Sequence, residues 1–189
     1  MSKLLCFILI SALFACNQNK QTGRDEASID SLTKKDTEAP VTTTNSIDAD
    51  ALAKMAPFTE QEMRDLLPRQ LMGAPIGDED VNGSIGTLSA IGEYQVNDTT
   101  RLELLIVDCA GPGGSGVYSS QYLSMLGIDE EDEDEYTRTI DFRGGKAFEN
   151  CYKNKIDCSL TWFEGRYLIS LDGNMSSADL KKAAAELKF

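Results

Sequence analysis

The amino-acid sequence predicts an α+β domain, in which an antiparallel sheet of about five to six strands carries helices packed on one face, after a signal peptide and a flexible tether. Three observations point there. Between Thr87 and Leu171 short alternating apolar segments are separated by tight turns and glycine clusters, the pattern of antiparallel strands. Apolar residues at helical spacing occur near Phe58, after Gly116 and after Ser176. No aromatic residue lies between Phe14 and Phe58, so the chain ahead of the domain lacks core-forming material.

Taken in chain order, Met1-Ser2-Lys3 is followed by the apolar run Leu4 to Ile10 and then by small residues up to Cys16. This is the layout of a signal peptide over residues 1–15, and the run falls short of the ~20 residues that span a bilayer. Residues 16–56 are rich in Ser, Thr, Asp, Lys and Ala and cannot bury enough apolar surface to offset the entropy of ordering. They read as a tether, holding the domain an average of about 35 Å away if flexible, with room for a short helix within Ile47 to Met55.

The globular α+β domain then covers residues 57–189. Thr59 and Glu62 make a capping box with Phe58 as the staple onto Met63, and Pro68 stops that helix. Gly73, Pro75, Gly77 and Gly83 predict a loop. Thr87 to Val96 is a strand with Gly92 as a candidate bulge, and Arg101 to Cys109 is a central strand because both its faces are apolar. Gly111 to Gly116 breaks the chain before a helix over Val117 to Leu126. Tyr136–Phe142, Lys146–Tyr152, Asp157–Phe163 and Arg166–Leu171 are strands, and Ser176 with Asp179 caps a last helix whose Leu180, Ala183, Ala184 and Leu187 share a face.

Composition narrows the chemistry. With 41% hydrophobic and 26% charged residues, the 189-residue chain has material for one core. Eighteen Lys and Arg against 31 Asp and Glu give a net charge of -13, which repels phosphates, so no nucleic acid partner is expected. There is no histidine, which closes Ser-His-Asp and Cys-His catalysis and imidazole metal sites, and no cofactor is expected.

The remaining candidates each have a bland reading beside the sharp one. Residues 129–135 are seven consecutive acids that read as a solvated loop; Asp129, Glu131, Asp132 and Asp134 are the oxygens a divalent cation would contact, although the spacing of a calcium loop is absent. Gly111-Pro112-Gly113-Gly114-Ser115-Gly116 sits between a strand and a helix, where phosphate loops occur, but no Lys follows, so a flexible connection is expected. Cys151 and Cys158 flank a turn and are the candidate disulfide, while Cys109 reads as a buried free thiol. Trp162, Phe163 and Tyr167 are core or a contact patch, and Asp108 and Asp141 are the carboxylates on which a hydrolase or transferase would rely.

Leu13-Phe14-Ala15-Cys16 resembles the lipobox of bacterial lipoproteins. The resemblance implies that the Cys16 thiol is acylated and becomes the first residue after cleavage, which anchors the protein to the bilayer; Asn17 after it implies the outer membrane. The domain, through Leu104–Asp108, Tyr136–Thr139, Gly145-Lys146-Ala147 and Gly165–Asn174, resembles small Bacteroidetes-type lipoproteins, and its layout is similar to PsbP and Mog1-like domains, which bind and assemble. The expectation is a membrane-anchored envelope lipoprotein with a non-catalytic domain for an envelope protein or a small ligand. The alternatives are a carboxylate-dependent hydrolase or transferase and a divalent-cation binder through residues 129–135.

Overall fold

The structure is a computed structural model that describes residues 47–84 and 86–189. The signal peptide, Cys16 and the tether as far as residue 46 lie outside the described residues. Short helices are placed by their caps. Asp48 accepts from the Asp50 amide to start α1 (Ala49–Lys54), which lies inside the stretch that composition assigns to the tether and yet buries Leu52 completely. The Thr59–Glu62 box forms as expected at the start of α2 (Glu60–Asp65), where the Thr59 amide donates to Glu62 Oε2 at 2.7 Å. Ser176 and Asp179 cap the last helix, α4 (Ser177–Glu186), which buries Leu180, Ala183 and Ala184.

The expected five or six strands with helices on one face are not what forms. The fold is mainly β: nine strands make one antiparallel sheet with helices on both of its faces. Strands β1 (Gln70–Leu71), β2 (Ala74–Ser84), β3 (Thr87–Asn97) and β4 (Thr100–Asp108) form one meander. The second consists of β5 (Asp129–Glu131), β6 (Glu135–Phe142), β7 (Gly145–Tyr152), β8 (Cys158–Glu164) and β9 (Tyr167–Gly173). Pairing of β9 with β4 joins them, giving the order β1-β2-β3-β4-β9-β8-β7-β6-β5. The connection from β4 to β5 must therefore cross five strand spacings, about 24 Å. It does so as α3 (Gly111–Val117), a π-helical turn over Tyr118–Tyr122 and a 3-10 turn over Leu123–Met125, laid across one face.

Three strands, β1, β2 and β5, were hidden in the sequence by their position at or next to a sheet edge. β2 contains Pro75, Gly77 and Gly83, which a fully paired central strand would not tolerate, but beyond Pro75 no strand pairs with its outer side because β1 is only two residues long. Its bulge lies in β2 itself, between Ile76 and Glu79, and not at Gly92 of β3. The acidic run is likewise half strand: β5 pairs with β6, and Asp132 accepts the Asp134 and Glu135 amides to make the turn, so the run is a hairpin and not a loop, while Asp129 to Asp134 stay exposed to solvent as expected.

Alternation along β4 divides the interior. Leu102, Leu104 and Ile106 enter a large cluster with Leu160, Trp162, Ile169 and Leu171, covered by α2 and α4. Val107 joins a smaller cluster on the opposite face with Leu52, Cys109, Tyr118, Tyr122, Phe148, Phe163 and Leu168, beneath α1 and α3. Trp162 is thus core in the first cluster and Phe163 in the second, and Tyr167 packs at the margin of the first. The outer strands are protected from pairing with other chains. Asp80 Oδ1 accepts the outward Val81 amide of β2 at 2.9 Å, and β5 is three acids long.

Candidate functional site

The glycine-rich segment does not form a flexible connection. It is the helix α3, with Pro112 in its first turn. Glycine costs about 1 kcal/mol per helix position relative to alanine, so tertiary contact must hold this helix together. At Gly114 a Cβ would stand 2.5 Å from the Cys109 carbonyl carbon, so the helix lies directly on the end of β4. Gly111 has a φ of +74° and faces Pro57 closely. Gly116 differs, since a Cβ there would meet nothing within 4 Å.

That empty space is the wall of a cleft of about 480 Å³ between α3 and strands β2 to β4. Its floor is Leu105 and Val107, its walls Gly116 and Val117, and its rim carries Ser89, Ser120 and Gln121. Among the described residues no charged side chain lines it. The π-helical turn supplies Ser120 and Gln121, and such turns gather at functional sites because they widen a helix locally. Ser119 on the same turn donates to the Ser115 carbonyl at 2.9 Å, tying the turn back to α3.

A second cleft, of about 520 Å³, opens where the β7–β8 hairpin meets the start of α4. Cys151 and Cys158 lie directly opposite on β7 and β8 with Cα atoms 4.1 Å apart, and are joined as a disulfide in its wall. The charges here are committed. Lys153 pairs with Glu131 at 2.8 Å, and Lys155 with Asp157 at 2.6 Å while lying over the Tyr152 ring. Beneath the cleft the buried Glu149, which sequence reading missed, accepts from Tyr136 at 3.0 Å, from Ser177, and from Lys181 at 2.6 Å. Burial pushes its carboxyl up, but the hydrogen bonds from Lys181, Ser177 and Tyr136 outweigh burial and leave it lowered. A carboxylate held ionised in this way is a fastener between α4 and β7.

The sequence-predicted carboxylates do not come together. Asp108 is buried, and its two oxygens accept from the Phe58 amide at 2.8 Å, the Ala110 amide at 3.1 Å, and Arg166 through Nε at 2.8 Å and Nη2 at 2.7 Å. Asp141 is exposed and paired with Lys146 at 2.6 Å. Four strand steps separate β4 from β6, about 19 Å, roughly twice the largest spacing of a working carboxylate pair. Of the acidic run, Glu131 is bound by Arg138 at 2.7 Å as well as by Lys153, Asp129 lies 3.8 Å from Arg138, Asp132 is spent on turn amides, and Asp134 accepts from Asn154 at 3.2 Å. Among the described residues no group of three or more acids or thiols converges as a metal site. Cys109 is buried and free, and burial pushes its thiol up to about 12.

Comparison with known proteins finds no matching family model, curated protein or solved structure. The cleft's residues come from four segments, and no motif links them. The one signal in the sequence that touches this site is the glycine run, whose composition suits a helix that must approach a strand closely.

Proposed function

We propose that the chain is a membrane-anchored envelope lipoprotein whose domain binds a small uncharged ligand in the cleft between α3 and strands β2 to β4. One observation carries this reading: in a protein of net charge -13 the cleft is lined by apolar and neutral polar side chains alone. Its volume and its apolar floor with a few polar rim groups match the usual form of a small-molecule site. The carboxylates and lysines around the other cleft are already neutralised by one another, which leaves less for a ligand there. The anchor part of the reading rests on the Leu13-Phe14-Ala15-Cys16 pattern, with the bilayer as the partner held through acylated Cys16. Among the described residues no helix is long and apolar enough to cross a membrane.

Two measurements test the two parts. A library of neutral and charged fragments, followed by amide NMR shifts, should give neutral binders that shift Leu105, Val107 and Ser120; binders that shift only the β7–β8 hairpin refute the cleft assignment. Mass spectrometry of membrane fractions should find the N-terminal peptide starting at Cys16 with added acyl mass. Cleavage elsewhere without lipid refutes the anchor and leaves the cleft untouched.

A further inference from the structure

The first segment of the fold is attached differently from the rest. Residues 47–58 make no strand pairing; α1 has six residues, too few to persist alone, and Leu52 is its one buried side chain. Leu52 completes the cluster that holds Cys109, Tyr118, Tyr122, Phe148 and Phe163, and α1 packs on α3. Ile47, Ala49 and Met55 pack on the edge of the same cluster, and behind α1 a clasp centred on Arg166 fastens the chain, with the Phe58 ring also set against Tyr167 at 6.0 Å. Arg166 Nη2 donates to the Ala56 carbonyl at 2.8 Å, its guanidinium lies 4.2 Å from the Phe58 ring centre, and the Asp108 that pairs with it accepts the Phe58 amide. Pro57 crosses at Gly111, where a side chain would collide with it.

Under this segment lies an imperfection. The Tyr118 hydroxyl is buried and has no hydrogen-bond partner, alone in this among the described residues' buried side-chain polar atoms. Burial raises the ionisation of this hydroxyl, with smaller contributions from the charges that Tyr122, Cys109 and Asp48 at the start of α1 would carry, and Tyr122 already donates to the Lys146 carbonyl. Lifting α1 would give the Tyr118 hydroxyl water to bond with, so the closed state carries a cost that the open state sheds.

We propose that residues 47–58 are a displaceable strap, whose release opens the aromatic cluster around Tyr118 and Cys109 while the nine-stranded sheet stays folded. The strap is where the chain from the N-terminal 46 residues joins the domain, so anything that draws on that chain draws first on this cover. The inference does not depend on what occupies the charge-free cleft.

The test uses the full chain, labelled with N-ethylmaleimide under native conditions, with Cys109 read from its own peptide and amide exchange read in β8 and β9. Cys109 should be at least tenfold less protected than the amides of Leu160 and Ile169. Leu52→Ala should cut its protection a further tenfold and leave those amides unchanged. Tyr118→Phe, which removes the unpartnered hydroxyl, should raise Cys109 protection severalfold, and it decides the matter if the first variant does not fold. Equal protection of Cys109 and the β8–β9 amides in the wild type, or no response of Cys109 to Tyr118→Phe, would overturn the strap.

Discussion

The two faces of the sheet are built on opposite principles. The face under α2 and α4 is packed with large apolar side chains, a disulfide and the ionised Glu149, both of its helices carry side-chain caps, and the lysines at the cleft at its margin are paired with carboxylates. On the other face the covering helix α3 is mostly glycine, has no side-chain cap and runs into a π-helical turn whose Tyr118 buries an unpartnered hydroxyl. The charge-free cleft is on that second face. The difference separates stability from adaptability: one side holds the sheet together, and the other gives up packing and hydrogen bonding to leave space and movable cover.

The comparison breaks first if the sealed face is not the stabilising one. Trp162→Ala should lower unfolding free energy by about 3–5 kcal/mol in denaturant titration, because a fully buried indole is lost. Replacing both Cys151 and Cys158 with serine, on the same face, should cost about 2.5 kcal/mol from the entropy of a seven-residue separation, read as a lower melting temperature.

Glu149 gives the comparison a pH dependence. Its folded ionisation lies below the ordinary 4.5, so its contribution is complete above pH 4.5 and is lost as pH falls through the folded value. Glu149→Gln should cost about 1.5–3 kcal/mol at pH 7 and progressively less below pH 4.5, which acid melts of both proteins would show. A constant difference between them across that range would remove the ion-pair account.

On the adaptable face two glycines of the same helix should act with opposite signs. Gly116→Ala should stabilise by about 0.5–1 kcal/mol, since the new methyl gains helix propensity and meets no neighbour, while it narrows the cleft and weakens neutral fragment binding. Gly114→Ala, two residues away, should destabilise by about 1–3 kcal/mol because its methyl has no room against Cys109. If both substitutions act alike in thermal melts, α3 is not seated as described.

Much of the local structure was legible in the chain. The Thr59–Glu62 and Ser176–Asp179 caps depend on residues three apart, and the alternation of β3, β4 and β6 to β9 on residues two apart, so neighbouring residues suffice to reveal them. The facing of Cys151 and Cys158 follows from one short hairpin. The candidate site was far less legible: the glycine run was visible, but its role in shaping a cleft depends on β2, which sequence reading took for a loop.

By itself, then, the sequence determined the antiparallel hairpins, the helix starts, the acidic surface and the exclusion of histidine chemistry, because each is a property of composition or of residues close together in the chain. Only the tertiary structure decided that nine strands share one sheet, that helices cover both faces and that Asp108 spends its charge on Arg166. The physical reason is the same in each case. An edge strand with glycine and proline, or a helix of glycines, has no intrinsic stability to announce it, and forms only when partners distant in sequence supply the hydrogen bonds and the contact surface.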